Sequence, residues 1–155
     1  PFEEKVAFTV SSPEQVSFPL YLRVPGWCND AQVRINGEQV QVDAAPRSYI
    51  KIDRMFQDGD KISLTMPMEV GVKQWTKNKN SVSVHYGPLA FSLKIHERYE
   101  QSGGTEKWPA WEIYPDSPWN YGLELNEAQP AASFEVVKKE WPESDMPFTL
   151  DNAPI

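Results

Sequence analysis

The stretch of sequence that decides the fold is residues 33–42, VRINGEQVQV, where two short runs of alternating apolar and polar residues flank Asn36-Gly37. Asparagine and glycine both tolerate the positive φ angles of a type I′ turn. An Asn-Gly pair between two alternating runs is therefore a strong predictor of a β-hairpin. The pattern indicates two antiparallel strands that each bury one face.

The same alternation recurs on both sides of this hairpin. Alternating apolar positions occur at residues 6–10, 16–24, 50–52, 62–66, 70–72, 82–84 and 91–95. Turn signals separate them, at Pro25-Gly26, Asp58-Gly59-Asp60 and the polar loop 77–80. About eight short strands with turns every 8–12 residues are typical of an antiparallel sandwich or barrel. The sequence therefore predicts an all-β fold, an antiparallel β-sandwich of jelly-roll or immunoglobulin-like type, with room for one helical turn at 53–58.

The composition of the chain changes after residue 97. Residues 1–97 are predicted to form the β-sandwich. Residues 98–155 are a Trp/Pro-rich segment, predicted to be the start of a second β-sandwich or an extension packed on the first. Within it, QSGGT at 101–105 predicts a flexible loop or linker. Residues 108–121 are too rich in proline for a regular strand or helix, whereas 121–125 and 134–137 are predicted strands.

Charge and composition exclude several classes of function. Lysine and arginine total 15 and aspartate and glutamate total 22, so the net charge is −7 and nucleic acid is not an expected partner. No apolar run approaches the roughly 18–20 residues that cross a bilayer, so no membrane partner is expected. One cysteine rules out an internal disulfide and a multi-cysteine zinc site, and there are only two histidines. We therefore expect no cofactor and no metal in this chain.

Four motifs in a fixed order carry a resemblance to a known family. They are LYLRVPGW at 20–27, VRINGE at 33–38, SYIKIDR at 48–54 and HYGPLAF at 85–91. Together they resemble the region after the catalytic barrel in the β-L-arabinofuranosidase family of glycoside hydrolases, family 127 and its relatives, formerly a domain of unknown function. The string SPWNY at 117–121 is similar to a segment in some members of that group.

The resemblance implies a non-catalytic role for this chain. Enzymes of this family carry their chemistry in a large (α/α)6 barrel, with a glutamate and a zinc-bound cysteine cluster, and β-sandwich modules follow it. The sequence has no Glu-x-Cys motif and no cysteine pair, so no catalytic and no metal residue is assigned to it. The expected function is an accessory β-sandwich domain, not an enzyme by itself, that supports the absent barrel of a β-L-arabinofuranosidase. The expected partners are that barrel, in the same polypeptide, and in an alternative reading a glycan.

The compartment cannot be deduced from the N-terminus. The chain begins at Pro1 with neither a methionine nor a signal-like segment, and we expect an excised fragment or a processed product. The family resemblance favours a secreted or periplasmic location, and a lone cysteine is neutral on that question.

An aromatic cluster supplies the candidate binding residues. They are Trp108, Trp111, Tyr114, Trp119 and Tyr121, together with Trp27 after the strand at 16–24. Exposed aromatic rings can stack on the C–H faces of sugars, which would make the chain a carbohydrate-binding module. Aromatic residues are also enriched at interfaces between domains. We favour interdomain docking for the cluster, and for Trp27 a packing role at the edge of the sandwich core.

Three further readings are weaker. A nucleophilic Cys28 would need a basic neighbour to lower its pKa, and neither histidine is linked to it by the sequence. Asp58-Gly59-Asp60 supplies too few oxygen ligands for calcium, so a hairpin turn is the better interpretation. An immunoglobulin domain that binds protein is disfavoured, because the Cys…Trp…Cys spacing is missing.

Overall fold

The computed structural model describes residues 1–144, 146 and 153–155, and this part of the chain is almost entirely β-structure. The strands are β1 Lys5–Thr9, β2 Val16–Val24, β3 Gln32–Ile35, β4 Glu38–Val40, β5 Ser48–Phe56, β6 Lys61–Thr65, β7 Val70–Trp75, β8 Ser81–Tyr86, β9 Leu89–Phe91, β10 Glu97–Gly104 and β11 Pro109–Pro115. One short 3-10 helix follows at Pro130–Ser133. All strand pairs are antiparallel, so the predicted all-β antiparallel fold is confirmed.

Two sheets enclose the main hydrophobic core. One has the strand order β1-β6-β3-β4, and the other pairs β2 with β5. Alternate residues of both sheets point inward and form a single cluster: Leu22, Val24, Val33, Ile35, Ile50, Ile52, Phe56, Ile62 and Leu64, with Cys28 and Ala31 from the connecting loop. Burial of each Val, Leu, Ile or Phe side chain in this cluster stabilises the fold by about 1.5–3 kcal/mol. This pair of sheets, called the sandwich below, is the best-buried part of the molecule.

The predicted hairpin at Asn36-Gly37 is confirmed. Asn36 has a φ of 52° and Gly37 a φ of 89°, and Val33 of β3 pairs with Val40 of β4. The Asn36 amide also holds a second turn, since its Nδ2 donates to Asp60 Oδ1 at 2.8 Å. The backbone N–H of Lys61 donates to Asn36 Oδ1 at 2.8 Å.

A second region begins with the three-stranded sheet β7-β8-β9. Its register places Val70, Val72, Val84 and Tyr86 on one face. Glu4, at the start of the chain, links this sheet to the sandwich. Its Oε1 accepts the backbone N–H of Met68 at 3.0 Å and the hydroxyl of Tyr86 at 3.5 Å.

The structure corrects five local predictions. Residues 53–58 form no helical turn, because β5 continues to Phe56 and buries its ring against the core. The predicted linker at 101–105 belongs mostly to β10, and the proline-rich stretch contains β11. The strands predicted at 121–125 and 134–137 are not found.

Prolines delimit β11 without interrupting it. Pro109 lies opposite Gly104 and Pro115 opposite Glu97, so both stand at strand ends, where proline is tolerated. The division at residue 97 stays a prediction, and residues 145 and 147–152 of the second segment lie outside the described part.

Candidate docking and carbohydrate-binding surface

The β10–β11 hairpin projects from the rest of the described structure. Every residue of both strands is exposed, on both faces. One face carries Tyr99, Trp111 and Ile113, since Tyr99 pairs directly with Ile113 and Gln101 with Trp111. The Tyr99 and Trp111 rings meet edge to face, 6.4 Å between centroids. This apolar face of the hairpin is open to solvent.

The opposite face of the hairpin is polar, and its charged and hydroxyl groups pair with one another. The Arg98 guanidinium lies 5.1 Å from the centre of the Tyr114 ring and forms an ion pair with Glu100. The Tyr114 hydroxyl donates to Glu112 Oε2 at 2.5 Å, and this hydrogen bond raises the pKa of Tyr114. A two-stranded hairpin alone is marginally stable in water, so one of its faces needs a partner.

Trp119 connects the base of the hairpin to a larger cavity. Together with Tyr114 and Ile95 it lines a cavity of about 390 Å³. With Tyr121 and the apolar face of the β7-β8-β9 sheet it lines a second, mostly apolar cavity of about 710 Å³. The backbone N–H of His96, just before β10, donates at 3.0 Å to Oγ of Ser117, just after β11, and this hydrogen bond joins the two open ends of the hairpin. Tyr114, Trp119 and Tyr121 therefore form a continuous strip.

The six aromatic residues nominated from the sequence do not form one row. Trp111 and Tyr114 lie on opposite faces of the hairpin, because strand residues alternate. Trp108 lies in the turn and is 73% exposed, with Lys107 Nζ 5.6 Å from its ring centre. Trp27 is half-buried against the sandwich core, away from the others.

Several exposed aromatic residues were not nominated from the sequence, among them Tyr99 on the hairpin and Trp75, Tyr21 and Tyr49 outside it. Trp75 at the end of β7 donates from Nε1 to Ser83 Oγ at 3.0 Å, and Lys73 Nζ lies 3.6 Å from its ring centre. Tyr21 and Tyr49 are 56% and 62% exposed on the outer face of the sandwich. The signal was present, since both tyrosines alternate with buried residues of their strands.

Glu4, Tyr86 and Lys138 form a small ionisable cluster where the start of the chain meets the second region. Lys138 Nζ lies 5.6 Å from the centre of the Tyr86 ring. A hydrogen bond with Tyr86, aided by the charge of Glu4, raises the pKa of Lys138. Tyr86 is buried and joins packed elements, whereas Lys138 is exposed and lines a cavity of about 440 Å³ together with Glu4.

The described residues contain no obvious catalytic centre. Cys28 is fully buried, and burial raises the pKa of its thiol, which disfavours the reactive thiolate. Within residues 1–144, 146 and 153–155, no three His, Cys, Asp or Glu side chains cluster so that they could hold a metal ion. In the same residues no helix is long and apolar enough to span a membrane.

Comparison with solved structures shows first which fold the chain shares. A solved glycoside hydrolase is similar in fold, with 21% identity and a TM-score of 0.53, over 81% of this chain and 26% of that one. A GH127 β-arabinofuranosidase, BT3674, matches at 20% identity and a TM-score of 0.51, over 83% of this chain and 25% of its own. The fold is that of an all-β region found in glycoside hydrolases.

The family resemblance is then confirmed for the sandwich. Residues 1–68 match the family model described as β-L-arabinofuranosidase, GH127 middle domain, and they include β1 to β6. A GH127 β-L-arabinofuranosidase from Geobacillus stearothermophilus is 27% identical, with a TM-score of 0.53, over 80% of this chain and 24% of that one. The chain therefore spans about a quarter of the length of the solved structures it matches. No curated protein matches it.

Proposed function

We propose that the chain is a non-catalytic β-sandwich module of a glycoside hydrolase and that it supports a catalytic barrel in the same polypeptide. The observation that carries this proposal is the match of residues 1–68 to the middle domain of the GH127 family. The single cysteine of the chain, Cys28, is fully buried, which supports a structural role for it. The whole enzyme would hydrolyse β-L-arabinofuranosides.

The apolar face of the hairpin is the part of the chain best suited to contact the barrel. Tyr99, Trp111 and Ile113 are all more than half exposed, at 55%, 51% and 57%. An exposed apolar patch next to charged groups is typical of an interaction surface, and aromatic residues are enriched in such surfaces. Docking would bury this face and stabilise a hairpin that is marginal by itself.

The experiment compares the 155-residue chain with the intact polypeptide from the source genome. The substrate is an aryl β-L-arabinofuranoside, which releases a coloured product on hydrolysis. The rate of colour release is measured for the chain and for the intact polypeptide under the same conditions. We expect hydrolysis by the intact polypeptide and none by the chain alone. Hydrolysis by the chain would overturn the non-catalytic role. An intact polypeptide that cleaves only another glycoside would overturn the substrate and leave the accessory role standing.

A carbohydrate-binding module is the second candidate, and the exposure of Trp108 favours it. Trp108 is 73% exposed in the hairpin turn. Its backbone N–H donates to Thr105 Oγ1 at 3.1 Å, which fixes the backbone there. Soluble oligosaccharides should then quench tryptophan fluorescence, and Trp108→Ala should remove that quenching. Trp27→Phe is the matched control, since Trp27 packs against the core. An unchanged spectrum across a broad glycan set would reject this candidate.

A further inference from the structure

The outer face of the β2–β5 sheet is a second exposed surface, separate from the hairpin. Tyr21 pairs with Lys51, and Arg23 pairs with Tyr49. Directly paired residues of antiparallel strands lie on the same face, so these four share the face that points away from the core. Their chain neighbours Leu22 and Ile50 are buried on the opposite side.

This face combines open aromatic rings with positive charge. Tyr21 and Tyr49 are more than half exposed and are diagonal neighbours across the strand pair, about 7–8 Å apart between Cα atoms for such positions. Lys51 Nζ forms a 2.7 Å ion pair with Asp53 Oδ2 on the same face, and both side chains are at least half exposed. Arg23 adds a further cation opposite Tyr49.

A third cation lies at the end of the sheet where Arg23 and Tyr49 face each other. Arg47 immediately precedes β5, and its side chain runs along Gly26, since a Cβ at Gly26 would stand 3.0 Å from Arg47 Nε. The two strands and the residue before β5 therefore bring three basic residues, Arg23, Arg47 and Lys51, to this part of the sandwich, where Asp53 pairs with Lys51, in a chain whose net charge is −7. The local charge is opposite to that of the chain as a whole.

We propose that this face binds glycans that carry carboxylate groups, that is, oligosaccharides containing uronic acids. Tyr21 and Tyr49 stack on the sugar rings through the C–H faces of the sugars. Arg23 pairs with a carboxylate, for which its planar guanidinium offers a two-pronged hydrogen-bonding geometry. Lys51 exchanges its contact with Asp53 for a contact with a second carboxylate.

The size of the face favours a glycan over a protein. β2 and β5 are each nine residues long. A two-stranded ribbon of that length presents a surface about 30 Å long and about 10 Å wide, or about 300 Å². A stable protein–protein interface needs about 800 Å² from each partner. The face is therefore too small for a protein by itself, whereas an extended oligosaccharide fits along it.

The test titrates the full 155-residue chain with an oligogalacturonate by calorimetry at low salt. A neutral galactan oligosaccharide of equal length is the ligand control. We expect binding of the charged ligand only, weakened by added salt because exposed charges are screened. Arg23→Gln should weaken binding about tenfold or more, the effect of losing one hydrogen bond to a charged group. Replacing both tyrosines by alanine should abolish binding.

Arg34→Gln is the matched variant, since it removes the same charge from an exposed position on the other sheet of the sandwich. Binding that falls equally in Arg34→Gln would overturn the proposal, because it would then reflect overall charge. Equal binding of the neutral ligand would overturn the role of carboxylates. Absence of any binding, with Tyr21 and Tyr49 protected from iodination only in the intact polypeptide, would assign the face to domain contact instead. None of these outcomes depends on whether the hairpin docks to a barrel.

Discussion

The sandwich and the β10–β11 hairpin are both made of antiparallel strands, but they differ in what those strands cover. In β5, Ile50, Ile52 and Phe56 are at most 6% exposed. In β10 and β11 every residue is exposed, although the hairpin has its own aromatic pair. Regular backbone pairing therefore does not by itself indicate an independently stable unit.

The difference separates two sources of stability. The sandwich buries the apolar face of each sheet against the other, and burial of apolar surface is the dominant favourable term in folding. Within the described part of the chain, the hairpin relies mainly on its backbone hydrogen bonds and local side-chain contacts, each worth about 1 kcal/mol. The sandwich is expected to fold within this chain, whereas the hairpin is expected to gain stability from a partner.

Phe56→Ala is expected to have the largest effect. The Phe56 ring is fully buried and stacks on Phe18 with 4.7 Å between ring centroids. Its removal leaves a cavity in the core and should lower the free energy of unfolding by about 3–5 kcal/mol. Urea unfolding followed by circular dichroism measures this loss. Met55→Ala, at a 57% exposed neighbouring position, is the control, and equal losses would contradict the assignment of the core.

Gly87→Ala is expected to have the next largest effect. Gly87 has a φ of 54°, and a Cβ there would collide with the Met68 side chain, which is buried. Backbone strain and overpacking together should destabilise the fold by about 2–4 kcal/mol. Gly122→Ala is the matched control, because nothing lies within 4 Å of its added Cβ. Thermal unfolding temperatures of the two variants should differ, and identical values would show that the β8–β9 turn is loosely packed.

Asp60 should make the stability of the sandwich depend on pH. Hydrogen bonds from the Asn36 side chain and the Gln57 backbone hold its pKa below the ordinary value of 3.8. A lowered folded-state pKa contributes stability above the unfolded value, and that contribution is lost as pH falls through the folded pKa. Asp60→Asn should therefore flatten the acid side of the stability curve.

The control for Asp60→Asn is Asp43→Asn, because Asp43 is an exposed carboxyl group outside the strands. Unfolding in urea at a series of pH values between neutral and strongly acidic measures both variants. A curve of unchanged steepness in Asp60→Asn would show that this carboxylate does not couple folding to pH.

Local sequence signals predicted the sandwich well because each of them acts within one strand or turn. Asn36-Gly37 defines its turn by backbone preference alone, and the alternation around Ile50 and Ile52 identifies the buried face. The hairpin at 97–115 was missed because Gly103 and Gly104 are typical of a linker. Gly104 instead adopts a φ of 84° at the end of β10, where the chain turns.

The candidate site was harder to predict than the fold. The sequence did not predict β11 as a strand. The alternation of strand residues, which places Trp111 and Tyr114 on opposite faces, was therefore not applied to them. The strip of Tyr114, Trp119 and Tyr121 depends on contacts between segments distant in sequence, including the β7-β8-β9 sheet. No local pattern contains that information. Tyr21 and Tyr49, in contrast, were accessible from strand alternation alone.

Among these substitutions, Trp111→Ala should change the free energy of unfolding of the 155-residue chain least. Its effect in the intact polypeptide tests directly whether the apolar face of the hairpin meets another domain. In the 155-residue chain it removes only the contact with Tyr99, so the free energy of unfolding should fall by less than about 1 kcal/mol. In the intact polypeptide the same substitution should cost about 2 kcal/mol or more, the size expected of an aromatic anchor at an interface. Differential scanning calorimetry of both proteins measures the contrast. Glu100→Ala, on the polar face of the hairpin, is the control. Equal small effects of Trp111→Ala in both proteins would mean that the apolar face of the hairpin is not where the domains meet.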